Sequence, residues 1–119
     1  LYDSFINYDD KVIPLPFINN VNDYIYPSDV VISKPGGLST TEIAAIRKPL
    51  IHMFAIPGIE EYNEKFFEGR GMSVVCNIDN IKESVIKCFD DTKFINNQKK
   101  YIYSDSAYRL VKFVIDNYH

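Results

Sequence analysis

The amino-acid sequence predicts an α/β fold: a Rossmann-like parallel sheet with helices on both faces. Three observations carry that prediction. Apolar runs of strand length, Val30 to Ser33, Leu50 to Phe54 and Met72 to Cys76, alternate with longer segments whose apolar residues recur at helical spacing. Connections of that length between strands are right-handed crossovers, which make the strands parallel. The first run also stops at Pro35-Gly36-Gly37 and resumes as a helical pattern, so a helix start falls at the carboxyl edge of the sheet, where ligands of such sheets bind.

Taken in order, Leu1 to Tyr8 reads as the end of a helix and Asp9-Asp10-Lys11 as the polar turn after it. Val12 to Phe17 is apolar but carries Pro14 and Pro16, which have no N–H for a ladder, so it is an edge strand or an extended segment. Ile18, Val21 and Ile25 fall at helical spacing, and Pro27-Ser28-Asp29 closes that element. The β-branched run Val30-Val31-Ile32 suits a central strand covered on both faces. Thr41 to Arg47 is a short helix whose Ala44 and Ala45 let its axis lie close to the sheet, and Lys48-Pro49 ends it. After the second strand, Ala55-Ile56-Pro57-Gly58 turns the chain. Ile59, Tyr62 and Phe66 then mark one face of a helix, with Tyr62 and Phe66 expected in the core, until Gly69 and Gly71 stop it. The third strand leads to a helix lined by Ile81, Val85, Cys88 and Phe89, and Asp90 to Asn97 reads as a polar break. Leu110, Val111, Val114, Ile115 and Tyr118 repeat the helical pattern in a terminal segment expected to pack back on the body of the domain.

Composition narrows the function. With 119 residues, 46% of them hydrophobic, the chain is sized for one core, a single domain over residues 1–119. A net charge of -3 with no basic cluster interleaved with aromatics argues against nucleic acid as a partner. No apolar run approaches the roughly 20 residues that span a bilayer, and Leu1 to Asp10 lacks the apolar block of a signal peptide. Cys76 and Cys88 stand in no metal or redox spacing, which is consistent with buried reduced thiols in a cytosolic protein. The chain opens at Leu1 in what reads as the middle of an element, so a fragment of a longer protein is expected.

The Pro35-Gly36-Gly37 turn is the stretch the chain is built to present. Successive glycines allow backbone conformations and a close ligand approach that a Cβ would block, and a helix start offers free N–H donors and partial positive charge to a phosphate. Ser39 and Glu42 have the S-x-x-E spacing of a capping box, so Glu42 is either a cap or a ligand group. The motif is neither G-x-G-x-x-G nor a P-loop. Lys34 either counters a diphosphate charge or lies on the surface. His52, without a second ligand-type residue in pattern, reads as structural. Glu61 and Glu64 read as a solvated helix face.

The run from Ser28 to Glu42, then Lys48-Pro49-Leu50, then Pro57-Gly58-Ile59-Glu60-Glu61-Tyr62-Asn63, resembles the C-terminal domain of GT-B glycosyltransferases of family 28. The Lys-Pro-Gly-Gly-Leu and Pro-Gly-x-Glu phrasing is that of the family's plant galactosyl-diacylglycerol synthases and bacterial processive diacylglycerol glucosyltransferases. The resemblance implies a domain that binds a UDP-sugar donor. Phe17 and Ile18 match the turn that meets the uracil ring. Gly36, Gly37, Leu38 and Ser39 match the loop that approaches the diphosphate, and Glu42 matches the carboxylate that takes the ribose hydroxyls. Glu60 and Asn63 match side chains that contact the donor hexose, whereas the glutamine common before Glu60 is Ile59 here.

The function thus expected is transfer of a hexosyl group from a UDP-sugar to a lipid such as diacylglycerol, with no required protein-bound cofactor. The implied partners are an N-terminal acceptor domain or subunit, which supplies the base, and the lipid with its membrane surface. Location is then cytoplasmic, peripheral to the inner face of the membrane. These residues hold no credible catalytic group and no metal site, so the piece alone is expected to bind UDP weakly and transfer nothing. A donor-binding subunit of a split enzyme and a GT-B nucleotide-sugar epimerase are the alternative readings.

Overall fold

The computed structural model describes residues 11–118. The helix end expected over residues 1–8 lies outside the described residues, as do Asp9 and Asp10 of the expected polar turn, while Lys11 is described and lies in a turn. In chain order the elements are α1 (Asn22–Ile25), β1 (Val31–Ser33), α2 (Gly37–Ile46), β2 (Leu50–His52), α3 (Ile59–Gly69), β3 (Val74–Val75), a 3-10 turn (Ile78–Asn80), α4 (Ile81–Asp90), α5 (Lys93–Tyr101) and α6 (Ser106–Tyr118). The strands form one parallel sheet in the order β1-β2-β3. Val31, Ile32 and Ser33 pair with Leu50, Ile51 and His52, while Ile51 and His52 pair in turn with Val74 and Val75.

Alternation along β2 explains the layers. Leu50 packs with Ile25, Ile43, Val31 and Ile46, bringing α1 and α2 onto one face. Ile51 and Met53 pack with Cys76, Cys88 and Phe94, bringing α4 and α5 onto the other. A third cluster of Ala44, Phe67 and Met72 joins α2 to α3. The α/β fold with helices on both faces is the one the sequence predicts. Which strand is central is not. β2 is buried throughout, whereas Ile32 in β1 is 46% exposed. Among the described residues β1 is an edge strand, and residues 12–17, with their two prolines, form no strand.

Several boundaries move for identifiable reasons. α2 starts at Gly37, not Thr41, with Gly36 as an N-cap of extended geometry and no side-chain cap. The Thr40 N–H already reaches the Gly36 carbonyl at 3.1 Å, so Ser39 and Glu42 lie inside the helix and form no capping box. The buried face of α3 is shifted by one residue: Phe67 is buried, Phe66 packs at its margin, and Tyr62 is 71% exposed. In α4, Ile81, Val85 and Cys88 face the core as expected, but Phe89 is exposed. The supposed polar break is the helix α5, which docks through Phe94 and Gln98, four residues apart. Gln98 Nε2 donates to the Lys48 carbonyl at 2.7 Å and the Met72 carbonyl at 3.2 Å, tying the approach to β2 to the approach to β3. α6 forms with its amphipathic pattern but buries no residue, so it does not pack back on the body.

Candidate functional site

Two loops leave the carboxyl ends of adjacent strands, one after β1 and one after β2. The first runs Lys34-Pro35-Gly36 into α2. Pro35 is fully buried, and the Gly36 N–H donates to the Lys34 carbonyl at 2.9 Å. The first amides of α2, those of Gly37, Leu38 and Ser39, are the ones an α-helix leaves without an acceptor of its own. Neither glycine needs left-handed backbone: Gly36 sits at φ -69°, and the positive-φ glycines among the described residues are Gly58 and Gly71. What they supply is space. A Cβ at Gly36 would meet nothing within 4 Å, and one at Gly37 would meet Asn63 Nδ2 at 3.8 Å.

The second loop leaves β2 through Met53 and Phe54. Phe54 adopts φ 59° and is 65% exposed. Left-handed backbone at a bulky residue costs roughly 1–2 kcal/mol, and such strain collects at functional sites. Gly58, at φ 105°, turns the chain into α3. Its N–H donates to Glu61 Oε2 at 3.4 Å, so Glu61, exposed as expected, also caps the start of α3. Glu60 accepts from the Ile56 N–H through Oε1 at 3.3 Å and pairs with Lys34 Nζ through Oε2 at 3.8 Å. Asn63 Nδ2 donates to the Pro35 carbonyl at 3.0 Å. A shallow concavity of about 380 Å³ lies over Ile56, Pro57, Gly58, Ile59 and Glu60.

The structure therefore brings Gly36, Gly37, Leu38, Ser39, Glu60 and Asn63 to one end of the sheet. Lys34 joins them through its ion pair. Phe17, 93% exposed, and the half-buried Ile18 precede α1. Among the described residues, neither Phe17 nor Glu42 makes a side-chain hydrogen bond or ion pair to the two loops. Glu42 stands exposed in the second turn of α2. Phe54 and the Glu61 cap escape the sequence reading. No residue type signals a left-handed phenylalanine, whereas the G-x-x-E spacing from Gly58 to Glu61 does signal the cap.

Beneath the loops, His52 is fully buried, with Nε2 3.3 Å from Thr40 Oγ1 and its ring edge-on to Phe67. Burial lowers its pKa from the ordinary 6.5 to about 4, so the ring is neutral at pH 7. The structural reading of His52 fits this position. The raised carboxyl pKa of Glu64 comes first from desolvation and then from Glu68 and Glu61. Burial likewise holds the thiols of Cys76 and Cys88 above their ordinary range. Among the described residues no group of three or more His, Cys, Asp and Glu could hold a metal ion, and no helix is long and apolar enough to cross a membrane.

Residues 2–106 match the glycosyltransferase family 28 C-terminal domain. The chain belongs to that family. It is 39% identical over 98 residues to a processive diacylglycerol beta-glucosyltransferase of Bacillus licheniformis, which covers 82% of this chain and 26% of that protein. It is 36% identical over 94 residues to the protein of the same name from Bacillus subtilis, covering 78% of this chain and 25% of that one. The chain thus spans about a quarter of the length of the curated relatives it matches. No solved structure matches it at a significant level. The family's domain takes in both loops, and its match ends where α6 begins.

Proposed function

We propose that this chain is the donor-binding part of a longer glycosyltransferase, which moves a hexosyl group from a UDP-sugar to a lipid acceptor such as diacylglycerol. The observation that carries the reading is the open row of amides at Gly37, Leu38 and Ser39, in a chain of this family whose relatives are named as diacylglycerol glucosyltransferases. Those amides and the positive end of α2 suit a diphosphate. They would also stabilise the charge that gathers on departing UDP, the kind of electrostatic term that usually dominates such steps. Glu42, one turn further on, would accept the ribose hydroxyls. Phe17 and Ile18 would meet the uracil, and Glu60 and Asn63 lie toward the hexose end. His52 is sealed from any substrate and its lowered pKa makes it a weak base, and the family resemblance implies that the base that deprotonates the acceptor hydroxyl stands in the remainder of the longer polypeptide. Peripheral contact with a membrane follows from a lipid acceptor. Relatives named as transferases do not favour an epimerase or a separate binding subunit.

Calorimetry with UDP tests the nucleotide site. Glu42→Ala is expected to weaken binding by about 1.5–3 kcal/mol, the worth of charged hydrogen bonds. Unchanged affinity would remove Glu42 from the site. Glucosylation of diacylglycerol from UDP-glucose by the intact protein tests the reaction, and its absence across UDP-hexoses would overturn the proposed activity.

A further inference from the structure

Asn63 lies half-buried in the first half of α3, yet its Nδ2 bonds the Pro35 carbonyl, 28 residues away in sequence, at 3.0 Å. The same peptide is held on its other side, because the Gly36 N–H donates to the Lys34 carbonyl at 2.9 Å. A trans peptide is planar, so fixing its C=O and its N–H fixes its orientation. The ring of Pro35 fixes φ immediately before it. The next amides along the chain are those of Gly37, Leu38 and Ser39, so the pinned peptide borders directly on the free donors. α3 makes a second link, from Glu60 to Lys34 at 3.8 Å, but the lysine is 55% exposed and such pairs contribute little. Among the described residues, the Asn63 amide makes the side-chain hydrogen bond between α3 and the first loop.

We propose that Asn63 is a positioning residue of the nucleotide site. By holding the Pro35 carbonyl it aims the α2 amides at a diphosphate. This rests on the nucleotide reading above. It differs from the role that the family resemblance implies, direct contact with hexose hydroxyls. The two roles separate on UDP, which carries no hexose. A residue that only touches the hexose leaves UDP affinity unchanged and weakens UDP-glucose alone. A residue that positions the turn weakens both by the same factor.

The test is calorimetric titration of the intact protein with UDP and with UDP-glucose, for the wild type, Asn63→Ala and the near-isosteric Asn63→Leu, alongside their thermal midpoints. The expected result is a loss of at least threefold for UDP, matched within twofold by the loss for UDP-glucose, in a variant that keeps a cooperative wild-type-like transition. A loss of less than threefold for UDP overturns the proposal, whatever happens to UDP-glucose. So does a threefold or larger UDP loss not matched by UDP-glucose, or a failure of both variants to fold, which would make the contact structural. If the wild type itself binds no UDP, the nucleotide reading falls. That outcome is distinct from failure of this proposal alone, in which wild type and variants bind UDP alike.

Discussion

His52 shows how a single residue can report on the packing under a site. Its ring is enclosed by Thr40 of α2 and Phe67 of α3, and its Nδ1 is buried without a hydrogen-bond partner. A proton there has to be accommodated without water, which is why the pKa falls to about 4. The unfolded chain, with an ordinary value near 6.5, binds more protons between those two pH values than the folded one. Its contribution to stability is therefore complete above about pH 6.5 and is lost as pH falls toward 4, with a slope of at most about 1.4 kcal/mol per pH unit. Urea unfolding at pH 7, 6 and 5 is expected to show a shallower pH slope for His52→Gln than for the wild type. Equal slopes would show that the ring does not stay neutral. The glycines of the first loop teach a different lesson at the same scale. Their presence was legible, but neither has a positive φ, and a Cβ would meet nothing at Gly36 and the Asn63 amide at Gly37.

Among the elements, α5 departs furthest from its sequence pattern. Nine residues, LysPheIleAsnAsnGlnLysLysTyr, carry few apolar letters, and an apolar count passes over them. The helix docks because Phe94 enters the cluster with Ile51 and Cys88 while the side-chain amide of Gln98 satisfies two carbonyls from different segments. Gln98→Leu strands both carbonyls and is expected to cost about 1–2 kcal/mol, read from the urea midpoint at unchanged m-value. The buried Oε1 of Gln98, which has no partner, offsets part of the loss. β1 and α2 show the reverse case. Both were visible as elements, and their placement was not. A β-branched run encodes a strand, but whether another strand lies beside it depends on segments elsewhere in the chain.

At the scale of the whole molecule, two layers of helices enclose a short sheet, and α6 stands apart from them. Leu110, Val114 and Ile115 are 65%, 46% and 58% exposed, so the helix adds almost no apolar burial to the domain. Deletion of residues 106–118 from this chain is expected to shift the thermal midpoint by no more than about 4 °C, as for surface changes generally. A larger fall would show that α6 braces the sheet after all. The family match, which ends at residue 106, describes the same division.

Read alone, the sequence determined the alternation of strands and helices, the parallel sheet, the glycine turn at its carboxyl edge and the family to which that turn belongs. These follow from local periodicity and turn chemistry, which neighbouring residues carry between them. Tertiary structure alone decided that β2 rather than β1 is central, that Gln98 bridges two strand approaches, and that Asn63 reaches the Pro35 carbonyl. Each of those depends on which distant segments meet and in what register, and no short window of sequence contains both partners.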